Sequence, residues 1–114
     1  MIKHNCGFEV EEGEASLVLT LYGEIDHHSA VQIRTEMDAL LLERQPKKVV
    51  LNLSNIEFMD SSGLGLIMGR YSLMQKLGGE LTLKHPHERL LKIFTLAGLQ
   101  RIITIEDEEK EKEQ

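Results

Sequence analysis

The chain predicts an α/β fold: a mixed sheet with an antiparallel opening hairpin and parallel central strands, and helices packed on it. Three observations carry this reading. Two short β-favouring runs come first, segments of helical and strand period then alternate, and Lys48 to Leu53 is an almost continuous apolar run, the mark of a strand covered on both faces. The 114 residues are the length of one ordinary domain, which buries roughly two-thirds of its unfolded surface. No repeat or low-complexity linker divides the chain, so one domain over 1–105 is expected, followed by a charged tail at 106–114.

The first strands are Phe8 to Glu11 and Leu17 to Tyr22, joined across Glu12-Gly13-Glu14, whose glycine can supply the positive φ of a hairpin turn. A first helix follows, with apolar residues at Ala30, Ile33, Met37, Leu40 and Leu41, Ser29 and Gln32 as its capping box, and Pro46 at its end. The strand from Lys48 to Leu53 comes next. A second helix runs from Leu64 to Leu77 on the stripe Leu64, Ile67, Met68, Tyr71 and Met74, stopped by Gly78-Gly79. Leu81 to Leu83 is a further strand. His85-Pro86-His87 turns the chain into a third helix marked by Leu90, Leu91, Phe94 and Ala97, ended at Gly98, and Arg101 to Ile105 is the last strand. Helical crossovers in this order place the later strands parallel in one sheet.

Composition narrows the function. Hydrophobic residues at 41% and charged residues at 28% are ordinary for a soluble globular domain. The net charge of -6, with no cluster of Lys or Arg, argues against a nucleic-acid surface. The run from Glu106 to Glu113 carries six acids and two lysines and no apolar residue, and reads as a solvated tail. The single cysteine, Cys6, allows no internal disulfide and no thiolate zinc cluster. Neither a signal peptide nor a bilayer-spanning run is visible, so a cytoplasmic setting without a membrane partner is expected.

Enzyme chemistry finds little support. The chain lacks a G-x-S-x-G elbow, a Walker phosphate loop and a G-x-G-x-x-G fingerprint. His27 and His28 are adjacent and diverge in any regular element, so no metal site is expected, and no cofactor either. The informative stretch is Phe58-Met59-Asp60-Ser61-Ser62-Gly63-Leu64-Gly65, two hydroxyls and a carboxylate running into a helix. Helix starts favour such residues for capping alone, so Asp60, Ser61 or Ser62 could simply serve as the cap. Two features weigh on the other side. Ser62, Gly65, Gly69 and Ser72 form a stripe of small residues that admits a close neighbour, either the protein's own sheet or a partner. The polar loop Gly23-Glu24-Ile25-Asp26-His27-His28 should lie at the same end of a parallel sheet, making a docking face with the first.

These two loops resemble the signature loops of the STAS domain family, named for sulfate transporters and anti-sigma factor antagonists. The double histidine, Gly69-Arg70-Tyr71 and Gly78-Gly79-Glu80 look most like its sporulation anti-sigma F factor antagonist branch, over about Phe8 to Ile105. The resemblance implies a phosphorylatable switch without catalytic activity, monomeric alone. Its implied partners are an anti-sigma factor that is an ATP- or ADP-bound serine kinase of the GHKL class, and a PP2C-type phosphatase. Ser61 matches the phosphoacceptor. Glu24, Asp26, His27, Met59, Asp60, Ser62, Gly63, Leu64 and Gly65 match the partner-binding loops. The chain departs from the family at its end, where relatives carry a further amphipathic helix and this tail has no apolar stripe. A STAS ligand-binding or transport-accessory module is the alternative, and an autonomous hydrolase using Ser61 stands last, because no base is placed for it.

Overall fold

The computed structural model describes residues 6–106. These form β1 (Cys6–Gly13), β2 (Ser16–Ile25), α1 (His27–Arg44), β3 (Lys48–Met59), α2 (Ser61–Lys76), β4 (Glu80–Lys84), α3 (Glu88–Leu96), a 3-10 turn at Leu99–Arg101 and β5 (Thr104–Glu106). The sheet order is β1-β2-β3-β4-β5, with β1 and β2 antiparallel and every later pair parallel. The expected mixed α/β sheet is therefore the observed one.

Each crossover advances to the next strand in the same direction, so right-handed connections put the three helices on one face. The core agrees. Leu17, Leu19, Leu21 and Ile25 of β2, Val49, Leu51 and Leu53 of β3, and Leu81 and Leu83 of β4 form one buried cluster with Ile33, Met37 and Leu41 of α1, Ile67 and Met74 of α2, and Phe94 of α3. Alternate residues point the other way. The cross-strand row Glu11, Val18, Val50, Thr82 and Thr104 lies on a face without helices, where only the central Val50 and Thr82 are buried.

Four local readings need correction. The hairpin turn places its positive φ on Ala15, at 59°, while Gly13 stays in the strand opposite Ser16, so close that an added Cβ would sit 2.6 Å from the Ser16 hydroxyl. Next, α1 begins at His27, capped by Asp26 rather than Ser29: Ser29 is the N3 residue of the capping box. β3 runs on to Met59, well past Leu53. Its inward residues Leu53, Ile56 and Met59 fall at intervals of three, which hides a strand from period-two reading, and two bulges against β2 absorb the extra residues. Finally, Gly98 at φ 76° leads into the 3-10 turn, so β5 starts at Thr104 and includes Glu106, whose carboxylate lies 3.4 Å from Lys84 Nζ. The rest of the expected tail, 107–114, lies outside the described residues, as do residues 1–5 of the N-terminal start.

Candidate functional site

Ile25 and Met59 are partners in the β2–β3 register and end their strands side by side. The residues that follow, Asp26 and Asp60, are the N-caps of α1 and α2. Two helix N-termini therefore open together at the carboxyl end of the sheet, where a parallel fold leaves its loops free for binding. The Asp60 N–H donates to the Ile25 carbonyl at 3.2 Å and ties the second loop to the first.

Each cap is built from its own sequence. The Asp26 carboxylate accepts from the Ser29 N–H at 2.9 Å, and the Asp26 N–H donates to Ser29 Oγ at 3.0 Å. The Ser29 backbone bond, with help from its hydroxyl, holds the Asp26 carboxyl below the usual carboxylate range. Asp60 accepts from the Ser62 N–H at 2.8 Å. That settles which residue caps α2 and leaves the neighbouring serine unclaimed: Ser61 is the first helical residue and its side chain is exposed.

Beneath this corner lies a tight support. Met59 is buried, and a Cβ on Gly63 would run into the Met59 side chain, so α2 sits directly on the end of β3. Met59 and Gly63 therefore stand under the surface and shape it from below. Glu24, Asp26, His27 and Gly65 are exposed, while Asp60, Ser62 and Leu64 are partly so. His27 lines a groove between α1 and α2 with Val31, Arg34, Ser62 and Gly65. The expected acidic loop is in fact the end of β2 and the first turn of α1, with Glu24 on the strand and His27 on the helix.

The glycine stripe of α2 faces outward. A Cβ at Gly65 or Gly69 would meet nothing within 4 Å, whereas Leu66, Ile67, Arg70 and Met74 turn inward. Packing against the protein's own sheet is thus not what these two glycines serve. Sequence reasoning did not anticipate Arg70, which is buried and pairs with Asp38 of α1, Nε to Oδ1 at 2.9 Å, though poorly aligned for a hydrogen bond. Burial works against its charge, and Asp38 counters that. Its outward neighbours Gly69 and Ser72 gave no signal that the residue between them was a buried cation. Among the described residues, no three His, Cys, Asp or Glu side chains gather as a metal would need, and no helix is long and apolar enough to cross a membrane.

The mixed five-stranded sheet with its three helices is the fold of the STAS domain, whose family model matches residues 7–112. The chain belongs to that family. It is 39% identical over 105 residues to an anti-sigma F factor antagonist of Paenibacillus polymyxa, covering 92% of this chain and 90% of that one. To an anti-sigma-B factor antagonist of Bacillus subtilis it is 34% identical over 101 residues, covering 89% and 91%. Among solved structures, the anti-sigma factor antagonist SpoIIAA in its unphosphorylated form matches with a TM-score of 0.76 at 31% identity, over 90% of each chain. SpoIIAA in its phosphorylated form matches at 0.70 and 30% identity, over 93% of this chain and 96% of that one.

Proposed function

We propose that this chain is an anti-sigma factor antagonist, a regulatory binding protein that docks on an anti-sigma factor through the corner around Ser61 and is switched off by phosphorylation there. The partner is a GHKL-class serine kinase, and a PP2C-type phosphatase reverses the modification. Relatives named as antagonists, one of them solved in both phosphorylation states, support the reading. The observation that carries it is the pair Gly65 and Gly69, which runs back from an exposed serine and where an added Cβ would meet nothing of the protein's own within 4 Å.

The chemistry is an in-line phosphoryl transfer. The Ser61 hydroxyl oxygen attacks the γ-phosphorus of ATP, the bond to the ADP oxygen breaks, and the hydroxyl proton passes to a base on the kinase. The product adds a charge of roughly -1.5 to -2 at pH 7. Within the domain this is tolerated, since the phosphate sits on the first residue of α2, at a helix N-terminus where free N–H groups and the dipole accept an anion. At the interface it is not. A phosphoserine beside Asp60 must face the phosphates of the nucleotide that has just donated it, and like charges then drive the complex apart.

The test is to incubate the purified protein with its candidate GHKL-class kinase and ATP, then read intact mass and map the peptide. One phosphoryl group on Ser61, absent from Ser61→Ala, supports the proposal. An active kinase that leaves the chain unmodified, or marks another residue, overturns it.

A further inference from the structure

Phe58 is 49% exposed, yet it lies three residues before Ser61 at the end of a central strand. Single exposed apolar side chains are common and carry no message alone; the surroundings of this one do. β3 continues past Asn52, where its pairing with β4 ends, and its two bulges keep Ile56 and Met59 in the core while Asn55, Glu57 and Phe58 stay in solvent. Bulges of this kind re-aim side chains near functional sites. The register partner of Phe58 is Glu24, which alternates with buried Gly23 and Ile25 and so points to the face without helices. Phe58 therefore flanks Ser61 on the open side of the sheet, while Gly65 and Gly69 flank it on the helical side.

Among the described residues, the open-face side of this corner is acidic, and the nearest exposed cation, Arg34, lies on the helical side in the groove with Ser62 and Gly65. Glu24, Asp26, Glu57 and Asp60 stand within segments 16–33 and 49–69, which contain no Lys or Arg. An exposed phenyl ring with Glu24 as its register partner and Glu57 as its chain neighbour fits an apolar recess with basic side chains around it, the arrangement in which a central aromatic dominates binding energy and the polar rim steers approach.

We propose that Phe58 is the apolar anchor of the docking surface, and that the anti-sigma factor kinase reaches around the Ser61 corner onto the open face of the sheet with a basic-rimmed apolar recess. This rests on the proposed function above and names a specificity-determining residue for it. Phe58 touches the partner and not the transferred phosphoryl group, so its removal weakens association and leaves the chemical step alone.

The experiment measures, for wild type, Phe58→Ala, Phe58→Leu and the double variant Glu24→Lys/Glu57→Lys, the Kd for the kinase with ADP and the KM and kcat of Ser61 phosphorylation, with melting curves alongside. For Phe58→Ala a rise in Kd of about 30-fold or more is expected, as for the truncation of a hot-spot aromatic, with a parallel rise in KM and kcat within about twofold. Phe58→Leu keeps most of the apolar contact and should lose less than about tenfold. The charge-reversed variant should associate more slowly, and the wild-type complex should weaken with salt. If the wild type is phosphorylated on Ser61 and Phe58→Ala binds as it does, the anchor is overturned and the proposed function stands. If Phe58→Ala lowers kcat and the melting temperature together while KM holds, its role is structural and the anchor is again overturned. A wild type that neither binds nor is phosphorylated overturns both readings.

Discussion

Gly65 and Gly69 allow stability and function to be moved in opposite directions by the same change. Both lie inside α2, the fifth and ninth of its sixteen residues, and neither has a positive φ. Glycine inside a helix costs about 0.8–1.0 kcal/mol relative to alanine. Since an added Cβ at either site meets nothing within 4 Å, no packing penalty offsets that difference. The double variant Gly65→Ala/Gly69→Ala should therefore gain about 1.6–2 kcal/mol. For 114 residues the unfolding entropy is about 0.24 kcal/mol/K, so the melting temperature should rise by roughly 7 °C. If the stripe seats a closely packed partner, the same two methyl groups overpack that interface at a cost of about 1–3 kcal/mol, a fall in affinity of roughly 5- to 150-fold. Differential scanning calorimetry reads the first effect and titration calorimetry with the kinase and ADP the second. Gly63→Ala is the counter-case: its methyl runs into Met59, so that variant should melt lower by about 4–12 °C. A double variant that melts higher and binds the kinase unchanged would refute the docking role of the stripe. One that melts lower would show that the two glycines are needed for packing after all.

Three further outcomes follow from the same geometry. Ser61→Asp should lose kinase binding while circular dichroism and melting change little, because an anion is tolerated at the start of α2; an unfolded variant would show that the switch acts through the fold. Asp26→Ala removes the capping box of α1 and should lower the melting temperature at pH 7. The folded Asp26 carboxyl titrates below its unfolded value of about 3.9, so its contribution is complete above that pH and fades as pH falls through the folded value. Wild type and variant should thus converge in urea titrations at acid pH, and a difference that persists there would assign the effect to something other than the carboxylate. Asp38→Ala strands a buried guanidinium and should cost about 2–3 kcal/mol, less than a fully buried pair because Asp38 is itself 34% exposed. Arg70→Met, which leaves a carboxylate with access to water, should cost less; equal losses by chemical denaturation would refute this asymmetry.

The order of strands and helices was legible because the apolar periods are strong and the stops are unambiguous: Pro46 after α1, Gly78 at φ 78° after α2, Gly98 after α3. What was obscured came from irregularity and from contacts distant in sequence. The bulges at the end of β3 break the alternation on which a strand is recognised, so Asn55 to Met59 read as loop. Asp26 and Ser29 are both good caps, and only the backbone shows that they form one capping box, with the aspartate first. Of the site, the Asp60-Ser61 corner was visible as a motif, and the structure separated its parts: aspartate as cap, serine as free hydroxyl, Met59 and Gly63 as the buried seat. The Arg70–Asp38 pair joins residues 32 apart, on helices whose contact no local pattern specifies.

A reversible switch needs a surface that phosphorylation can change and a core that it leaves alone, and α2 supplies both on one helix. Its inward residues Leu66, Ile67, Arg70 and Met74 hold it to the sheet and to α1. On its outward side Ser61 is exposed, and a Cβ added at Gly65 or Gly69 would meet nothing within 4 Å. On the proposed reading, a phosphate on Ser61 would meet an end of the helix that already favours anions, so the cost would fall on the docked partner and not on the fold. The same division explains why Asp60, and not the serine beside it, caps the helix. Were Ser61 the cap, its hydroxyl would be engaged by a backbone N–H, and modifying it would unpick the first turn. With the carboxylate holding the Ser62 N–H at 2.8 Å, the hydroxyl is free to be modified and restored while the turn stays intact.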